Sequence, residues 1–219
     1  MTALQWLFFL LIVQVIHGLG TWKLYIKAGR KAWEAFVPVY NGIVLMQIIN
    51  RPKWWMFLVF LPVINLLILP VIWIETLRTC GKKTTADRWL GVVTFGLYIG
   101  YVNYTQDVSY EANRETKPAT KALDTLGSLT FALIVATFVH TYFIQPFVIP
   151  SSSLEKSLLV GDFLFVSKFH YGARTPMTPI AAPMVHDSIP VIKKLSYLSK
   201  PQLPYFRFPA LEKIKNNDI

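Results

Sequence analysis

The chain has 219 residues, of which 53% are hydrophobic and only 16% charged, and its formal net charge is +10. So low a charged fraction excludes an ordinary soluble domain, because soluble domains carry about 25% charged residues. The single cysteine, Cys80, excludes an intrachain disulfide and a cysteine metal cluster. The composition therefore indicates a membrane protein, with anionic lipid as the simplest partner for its positive charge.

Nucleic acid and metal ions are poor candidates as ligands. The basic residues form no stripe with interleaved aromatic residues outside the hydrophobic runs, as a nucleic-acid-binding surface would. The four histidines are widely separated and lack the spacing of metal ligands. They are His17, His140, His170 and His186. We therefore predict no nucleic-acid partner, no metal and no cofactor.

The first hydrophobic run covers residues 3–19 and predicts a retained membrane helix. It has neither the basic n-region nor the small-x-small cleavage site of a signal peptide. Residues 22–34 mix aromatic and basic side chains, a composition typical of the membrane interface. Residues 35–50 are uncharged but contain Pro38 and Gly42, so a re-entrant segment is predicted at least as readily as a full span.

Two further uncharged runs predict spanning helices. Residues 54–74 are long enough to cross a bilayer, although two internal prolines should kink the helix. Residues 89–106 contain three glycines, which would allow close approach between helices. These runs predict an α-helical membrane domain of several spans over residues 1–110.

The charged residues 111–124 predict a polar linker between two domains. Residues 125–154 then carry no Asp, Glu, Lys or Arg, which is enough to cross a hydrocarbon core of about 30 Å. We predict a membrane anchor helix over residues 125–149 that ends before Pro150, because proline cannot continue a helix. The serines at 151–153 should then lie on extended backbone at the membrane surface.

Three sequence blocks occupy this junction and the residues after it. They read Pro150-Ser-Ser-Ser-Leu154, Leu158-Leu-Val-Gly-Asp162 and Val166-Ser-Lys-Phe-His-Tyr-Gly172. Aromatic residues after the Gly-Asp pair predict a strand that follows a turn. Taken alone, the serines would more readily form a polar stop and a flexible linker. The order of all three blocks resembles type I signal peptidases, which are membrane-anchored serine proteases, and the resemblance is dense over residues 145–174.

The resemblance implies roles for two of the serines. Ser153 would be the nucleophile of a serine and lysine dyad, and the Ser151 hydroxyl would act with the Ser153 amide as an oxyanion donor. A lysine activates a serine only when its amine is neutral near pH 7, which requires desolvation. We expect an apolar wall at the bilayer to supply that setting. Its members are Phe147, Val148, Leu154 and Phe163.

Other polar residues of this region have simpler interpretations. Ser151 and Ser152 could satisfy backbone groups in a turn, and Asp162 is expected to be a turn acceptor. Lys168 matches a family lysine that is not the general base, and a solvated or lipid-facing charge is the simpler interpretation. The adjacent Glu155-Lys156 pair is expected on the surface.

One departure from the family pattern concerns the general base. The base lysine of the family lies in a later block resembling Lys-Arg-aliphatic-x-Gly-x-x-Gly-Asp, and no such block is present in residues 1–219. We therefore interpret the chain as the amino-terminal part of a signal peptidase that is inactive alone. The alternative is a non-catalytic membrane scaffold or accessory subunit of an envelope complex. The missing block favours this alternative, whereas the intact serine and Gly-Asp blocks disfavour it.

A second, weaker resemblance covers residues 35–65, which are similar to a small membrane domain of unknown function fused ahead of some signal peptidases of Bacteroidota. The two resemblances imply a multi-pass α-helical membrane domain followed by the start of a β-rich extracytoplasmic domain over residues 150–219. Half of the fourteen prolines lie within 176–209 and predict extended, turn-rich structure there.

The resemblances also imply a place and partners for the protein. They imply the bacterial inner membrane, with the catalytic part in the periplasm, and exported precursors with signal peptides as substrates; an envelope protein could be a further partner. With residues 89–106 as a span, this orientation puts residues 75–88 outside and residues 23–31 in the cytoplasm. The basic charge of residues 75–88 then conflicts with the positive-inside tendency.

Overall fold

The computed structural model describes residues 3–111, 120–154, 157–185, 187–190, 192–213 and 215. The chain divides into two compact units. The first unit comprises Met1–Leu61 and Asn65–Leu126, and the second comprises Pro62–Ile64 and Gly127–Ile219.

Helices build the described part of the first unit. In chain order they are α1 (Ala3–Lys27), α2 (Tyr40–Ile48), α3 (Trp55–Val59), α4 (Ile64–Thr79), α5 (Thr85–Val93) and α6 (Leu97–Thr105). A short 3₁₀ helix, Ala32–Ala35, precedes α2. Within α1, Leu4–Lys27 is long and apolar enough to cross a membrane. The predicted helical region is therefore confirmed, with α1 as its candidate span.

Two of the predicted spans are interrupted. The run 54–74 forms α3 and α4 with a turn between them, because Pro62 lacks the N–H that would continue a helix. The run 89–106 forms α5 and α6, separated where Phe95 and Gly96 adopt positive φ values of 52° and 83°. Left-handed backbone of this kind ends a helix. The prediction of two continuous spans was therefore wrong.

These interruptions also change the expected orientation. Lys27, at the end of α1, acts electrostatically on the Cys80 thiol, which lies just after α4. The C-terminal ends of α1 and α4 therefore lie at the same end of the first unit. The expectation that residues 23–31 and 75–88 lie on opposite sides was wrong, because it counted the broken run 54–74 as a span.

Polar side chains of α1 pair with the segment that folds back on it. Asn41 Nδ2 donates to Gln14 Oε1 over 3.2 Å and lies 3.0 Å from His17 Nδ1. Gln14 Nε2 donates to the Ala35 carbonyl, and the Tyr25 hydroxyl donates to the Asn41 carbonyl over 2.6 Å. Irregular backbone beside an apolar helix needs such partners. With only nine residues, α2 is too short to span, as the re-entrant interpretation requires.

Glycines allow the helices of the first unit to approach one another. A Cβ added at Gly100 of α6 would lie 3.3 Å from the Cα of Gly20 in α1. Asn103 Nδ2 donates to the Gly20 carbonyl over 2.9 Å beside this contact. Gly91 of α5 leaves room for the Leu77 side chain, since a Cβ there would lie 2.5 Å from Leu77 Cδ1. The predicted close approach is confirmed at Gly91 and Gly100.

The second unit contains most of α7 (Lys121–Tyr142) and a two-stranded antiparallel sheet of β1 (Ile144–Val148) and β2 (Phe163–Ser167). The whole of α7 is a candidate span. The helix predicted over 125–149 therefore ends earlier, because Pro146 cannot continue it and residues 144–148 pair with β2. Pro146 therefore ends the helix, and not Pro150 as predicted.

The chain after β2 is extended and rich in turns, as its prolines predict. Among residues 168–185, 187–190 and 192–213, isolated antiparallel bridges replace long strands. They join Arg174 to Arg207, Ala181 to Tyr197 and Ser188 to Leu195. Part of the segment packs back on the sheet region, since Leu211 N donates to the His170 carbonyl over 2.9 Å.

Candidate active site

The serines lie in the loop that joins β1 to β2. Backbone hydrogen bonds close this loop: Ile149 N donates to the Asp162 carbonyl over 2.9 Å, and Gly161 N donates to the Ile149 carbonyl over 3.0 Å. Asp162 Oδ2 accepts from Leu159 N over 2.9 Å, and Gly161 has a positive φ of 96°. The predicted turn, the role of Asp162 as its acceptor and the strand that follows are all confirmed.

The loop brings the two expected catalytic hydroxyls together. Ser152–Leu154 form a 3₁₀ turn, which curls the backbone so that Ser151 Oγ lies 3.3 Å from Ser153 Oγ. Both side chains are exposed. The serines were expected to follow the membrane helix directly. They follow β1 instead, and the pairing of β1 with β2 fixes both ends of the serine loop.

The apolar wall expected beside the serines is an exposed rim. Val148 and Phe163 face each other across the sheet, next to Phe147. These side chains are 50%, 77% and 45% exposed, respectively. An exposed rim desolvates a neighbouring amine only when a bilayer, a substrate or a further segment covers it. The fourth expected member, the Leu154 side chain, lies outside the described residues, as do Glu155 and Lys156.

Lys168 has a structural partner that the sequence analysis missed. Its Nζ donates to the His140 carbonyl in the last turn of α7 over 2.9 Å, and its backbone N donates to the Phe143 carbonyl over 2.7 Å. Desolvation lowers the pKa of this amine. The interpretation as a solvated or lipid-facing charge was therefore wrong. The free carbonyls at a helix C-terminus attract a cation, but 28 residues separate the two partners, so no local sequence pattern could have indicated the contact.

A second hydroxyl of this region has a possible base beside it. Ser167 Oγ, at the end of β2, lies 2.8 Å from His170 Nδ1. Such a pair supports nucleophilic chemistry when a third group orients the imidazole. No carboxylate is bonded to His170 among the residues that the structure describes. We therefore interpret the contact as local, at the Ser-x-x-His spacing visible in the sequence.

No group of three or more His, Cys, Asp or Glu side chains within the described ranges could hold a metal ion. Burial raises the pKa of the Cys80 thiol to about 11, which makes it a poor nucleophile at neutral pH. His186 lies outside the described residues. The prediction that the protein uses no metal and no cofactor stays a prediction.

Two family models match separate parts of the chain. Residues 33–113 match a family of unknown function (DUF5684), and residues 122–198 match the model for signal peptidase, peptidase S26. The second match includes α7, the sheet and the serine loop, and it extends beyond residues 145–174. Through these residues the chain is similar to the signal peptidase family.

Curated relatives of the chain are type I signal peptidases. The Signal peptidase I of Pseudomonas aeruginosa is 34% identical over 149 residues, which cover 63% of this chain and 49% of that protein. That of Haemophilus influenzae is 40% identical over 70 residues, covering 32% of this chain and 20% of that protein. That of Buchnera aphidicola is 44% identical over 69 residues, covering 31% and 22%. The chain thus spans from about one fifth to one half of these relatives. No solved structure matches the chain.

Proposed function

We propose that the chain is part of a type I signal peptidase, a serine endopeptidase that removes signal peptides from exported precursors. The observation that carries the proposal is the pair of hydroxyls of Ser151 and Ser153, 3.3 Å apart, inside the segment that matches peptidase S26. Relatives described as Signal peptidase I in three bacteria support the same activity.

In the proposed reaction, Ser153 Oγ attacks the carbonyl carbon of the scissile peptide bond. A neutral lysine amine takes the hydroxyl proton, and the Ser153 amide and the Ser151 hydroxyl donate hydrogen bonds to the oxyanion. A donor at this position is worth about 3 kcal/mol of transition-state stabilisation. The lysine is assigned by family resemblance alone, and we assign it to no residue of 1–219. Lys168 is not the candidate, because its amine is bonded to the His140 carbonyl.

The two candidate spans support a place for this chemistry at a membrane surface. As a helix of 22 residues, α7 would extend for about 33 Å, enough to cross the hydrocarbon core. Only Phe143 separates it from β1, so the serine loop would lie close to the surface at which α7 ends. We assign that surface to the periplasmic side of the bacterial inner membrane, where exported precursors emerge.

The exposed sheet supports the proposed mode of substrate binding. Among the described residues the sheet has two strands, and an extended peptide can add to the edge of such a sheet through main-chain hydrogen bonds. Shallow pockets for alternate side chains would then select small residues before the cut. No chemistry is assigned to the region that matches the family of unknown function. An envelope protein that binds this region is therefore part of the proposal.

The direct test is cleavage of a purified precursor by the full-length protein in vesicles. We expect Ser153→Ala to reduce cleavage to background, because the variant lacks the oxygen that attacks the peptide carbonyl. Ser152→Ala is the matched control, which shortens a neighbouring side chain in the same turn and should cleave at close to the wild-type rate. Membrane insertion, assayed by carbonate extraction, should be unchanged in both variants. Normal cleavage by Ser153→Ala would remove the assignment.

A further inference from the structure

One end of the first unit collects basic side chains from several segments. They surround the C-terminal end of α4, and we call them the basic end. Its members are Lys27, Arg51, Arg78, Lys82, Lys83 and Arg88.

The contacts that place these side chains together are specific. Arg51 and Arg78 share the Glu75 carboxylate, at 3.2 Å and 2.8 Å. Lys83 Nζ lies 2.7 Å from a carboxylate oxygen of Glu111, and Glu111 N donates to the Thr79 carbonyl over 3.1 Å. The basic residues of the loop after α4 are therefore held at the end of that helix.

The remaining members join the same surface. Arg88 Nη2 donates to the Lys83 carbonyl over 3.0 Å. Lys82 N donates to the Leu77 carbonyl over 3.0 Å in the last turn of α4. The charges of Lys82 and Lys27 both act on the buried Cys80 thiol beside that helix end. Segments far apart in sequence thus present their cations on one surface.

This surface has an excess of positive charge. The described carboxylates near it are Glu75, Glu111 and Asp87, which are fewer than its cations. The Glu75 carboxylate is shared by two arginines. No described carboxylate lies within 4.0 Å of Lys27 or Lys82. The Lys27 and Lys83 side chains are exposed. The surface is therefore suited to a negatively charged ligand.

The length of α1 indicates the depth at which the basic end would lie in a bilayer. The candidate span Leu4–Lys27 ends at one of its lysines. A helix of 24 residues extends for about 36 Å, longer than a hydrocarbon core of about 30 Å. If the helix crosses this core, its last turn would lie at the level of the lipid headgroups. One turn before Lys27, Lys23 Nζ lies 4.2 Å from the centre of the Tyr104 ring, an aromatic and cationic pair suited to that interface.

We propose that the basic end is a binding surface for anionic phospholipid headgroups of the leaflet in which α1 ends. The inference does not depend on the proposed peptidase activity, because none of its residues belongs to the serine loop. Basic residues favour the cytoplasmic leaflet, so the surface also assigns the C-terminal end of α1 to that side. It gives a ligand class to a region whose family has no known function.

The test uses the full chain in phosphatidylcholine vesicles that contain either spin-labelled phosphatidylglycerol or spin-labelled phosphatidylcholine. The measured quantity is the relative association of the two labels with the protein. We expect the wild-type protein to prefer phosphatidylglycerol by about fivefold or more, the contribution of a single lysine near an anionic surface. The preference should fall between 0.15 M and 1 M salt, because the screening length shortens from about 8 Å to 3 Å.

Three variants separate the basic end from total charge and from folding. K27Q/K82Q/K83Q should bring the preference close to parity. K193Q/K194Q/K213Q, which removes three exposed lysines of the second unit, should keep it. K27R/K82R/K83R should also keep it, since it preserves the charge. Absence of a wild-type preference, its loss in the second-unit or arginine variant, or its independence of salt would each overturn the proposal.

Discussion

Polar side chains around the end of α4 and polar side chains in the serine loop differ in their burial. In the first unit the carboxylates of Glu75 and Asp87 are buried, and each is bound by two or more side chains. In the second unit the hydroxyls of Ser151 and Ser153 are exposed, and they lie 3.3 Å from each other. Polar groups that bind one another inside a unit stabilise the fold, whereas exposed groups remain accessible to a substrate.

Apolar side chains show the same contrast between the end of α4 and the sheet. Near the basic end, Leu77 and Cys80 are buried. On the sheet of the second unit, Phe163 and Phe165 are 77% and 79% exposed. We therefore expect substitutions in the first unit to lower the free energy of unfolding, and substitutions in the serine loop to lower the rate of cleavage without destabilising the protein.

Among substitutions that separate an effect on cleavage from an effect on stability, Ser151→Ala should have the largest effect. Loss of one oxyanion donor should lower kcat by a factor of about 10² to 10³ in the full-length protein, with KM little changed. An exposed surface change should alter the free energy of unfolding by less than about 0.5 kcal/mol. Steady-state cleavage of a precursor measures the first quantity, and denaturant unfolding in mixed micelles measures the second.

Ser151→Thr keeps the hydroxyl and is the matched control, which should retain much of the activity. Equal loss of kcat in both variants would show that the side chain at this position acts through its shape rather than as a donor.

In the first unit, Glu75→Gln should have the opposite profile. The substitution leaves Arg51 and Arg78 close together without their shared carboxylate, and removal of one partner from a buried ion pair costs about 3 kcal/mol. Unfolding in mixed micelles measures this cost, and cleavage per folded molecule should be unchanged. Glu111→Gln is the control, because its pair with Lys83 is more exposed and should contribute less than about 1 kcal/mol. Equal costs in the two variants would contradict the interpretation of Glu75.

A smaller loss of stability is expected for Gly96→Ala. The position has a positive φ of 83°, and a Cβ there would lie 2.6 Å from Trp73 Nε1. Backbone strain of this kind costs about 1 to 3 kcal/mol. Gly127→Ala in α7 is the control, since no atom lies within 4 Å of the added Cβ and alanine favours a helix interior. A thermal shift that is equal for the two variants would contradict the role of Gly96 as the break between α5 and α6.

The smallest effect concerns the pH dependence of stability at Lys168. Because its folded pKa is lowered by desolvation, the unfolded state binds more protons just below the ordinary lysine pKa of about 10.4. Stability contributed by this group therefore rises with pH in that window. Lys168→Met should remove the rise, and the exposed Lys194→Met should not. Parallel curves of unfolding free energy against pH for wild type and Lys168→Met would contradict the assignment.

Sequence reasoning predicted local features better than contacts between distant residues. The Gly-Asp turn, β2 and the close approach at Gly100 follow from residues that are neighbours or that form one glycine pattern. The end of α7 was misplaced because Pro150 was taken as the helix breaker, although Pro146 comes first. A short run such as residues 144–148 does not distinguish a helix end from a strand unless its pairing partner is known.

The features that could not be predicted depend on the path of the chain in space. Uncharged runs at 54–74 and 89–106 have the composition of spans, and hydropathy does not register the positive φ at Val63 or Phe95 that turns the chain. Likewise, Lys168 lies 28 residues from its partner His140. The pairing of the Ser151 and Ser153 hydroxyls was anticipated only through a family resemblance, since three serines in a row predict no particular geometry.

Because its own main-chain hydrogen bonds close the serine loop, we expect that the loop can be transferred to another protein. Main-chain hydrogen bonds between Ile149 and residues 161 and 162 close the base of the loop, so this closure uses no side chain of the flanking strands. At this closure Gly161 adopts a positive φ, and the Asp162 carboxylate accepts a hydrogen bond from Leu159 N. Grafted onto an unrelated antiparallel hairpin of matching register, residues 149–162 should keep their two hydroxyls in contact, which would let the chemistry of the pair be studied without a membrane.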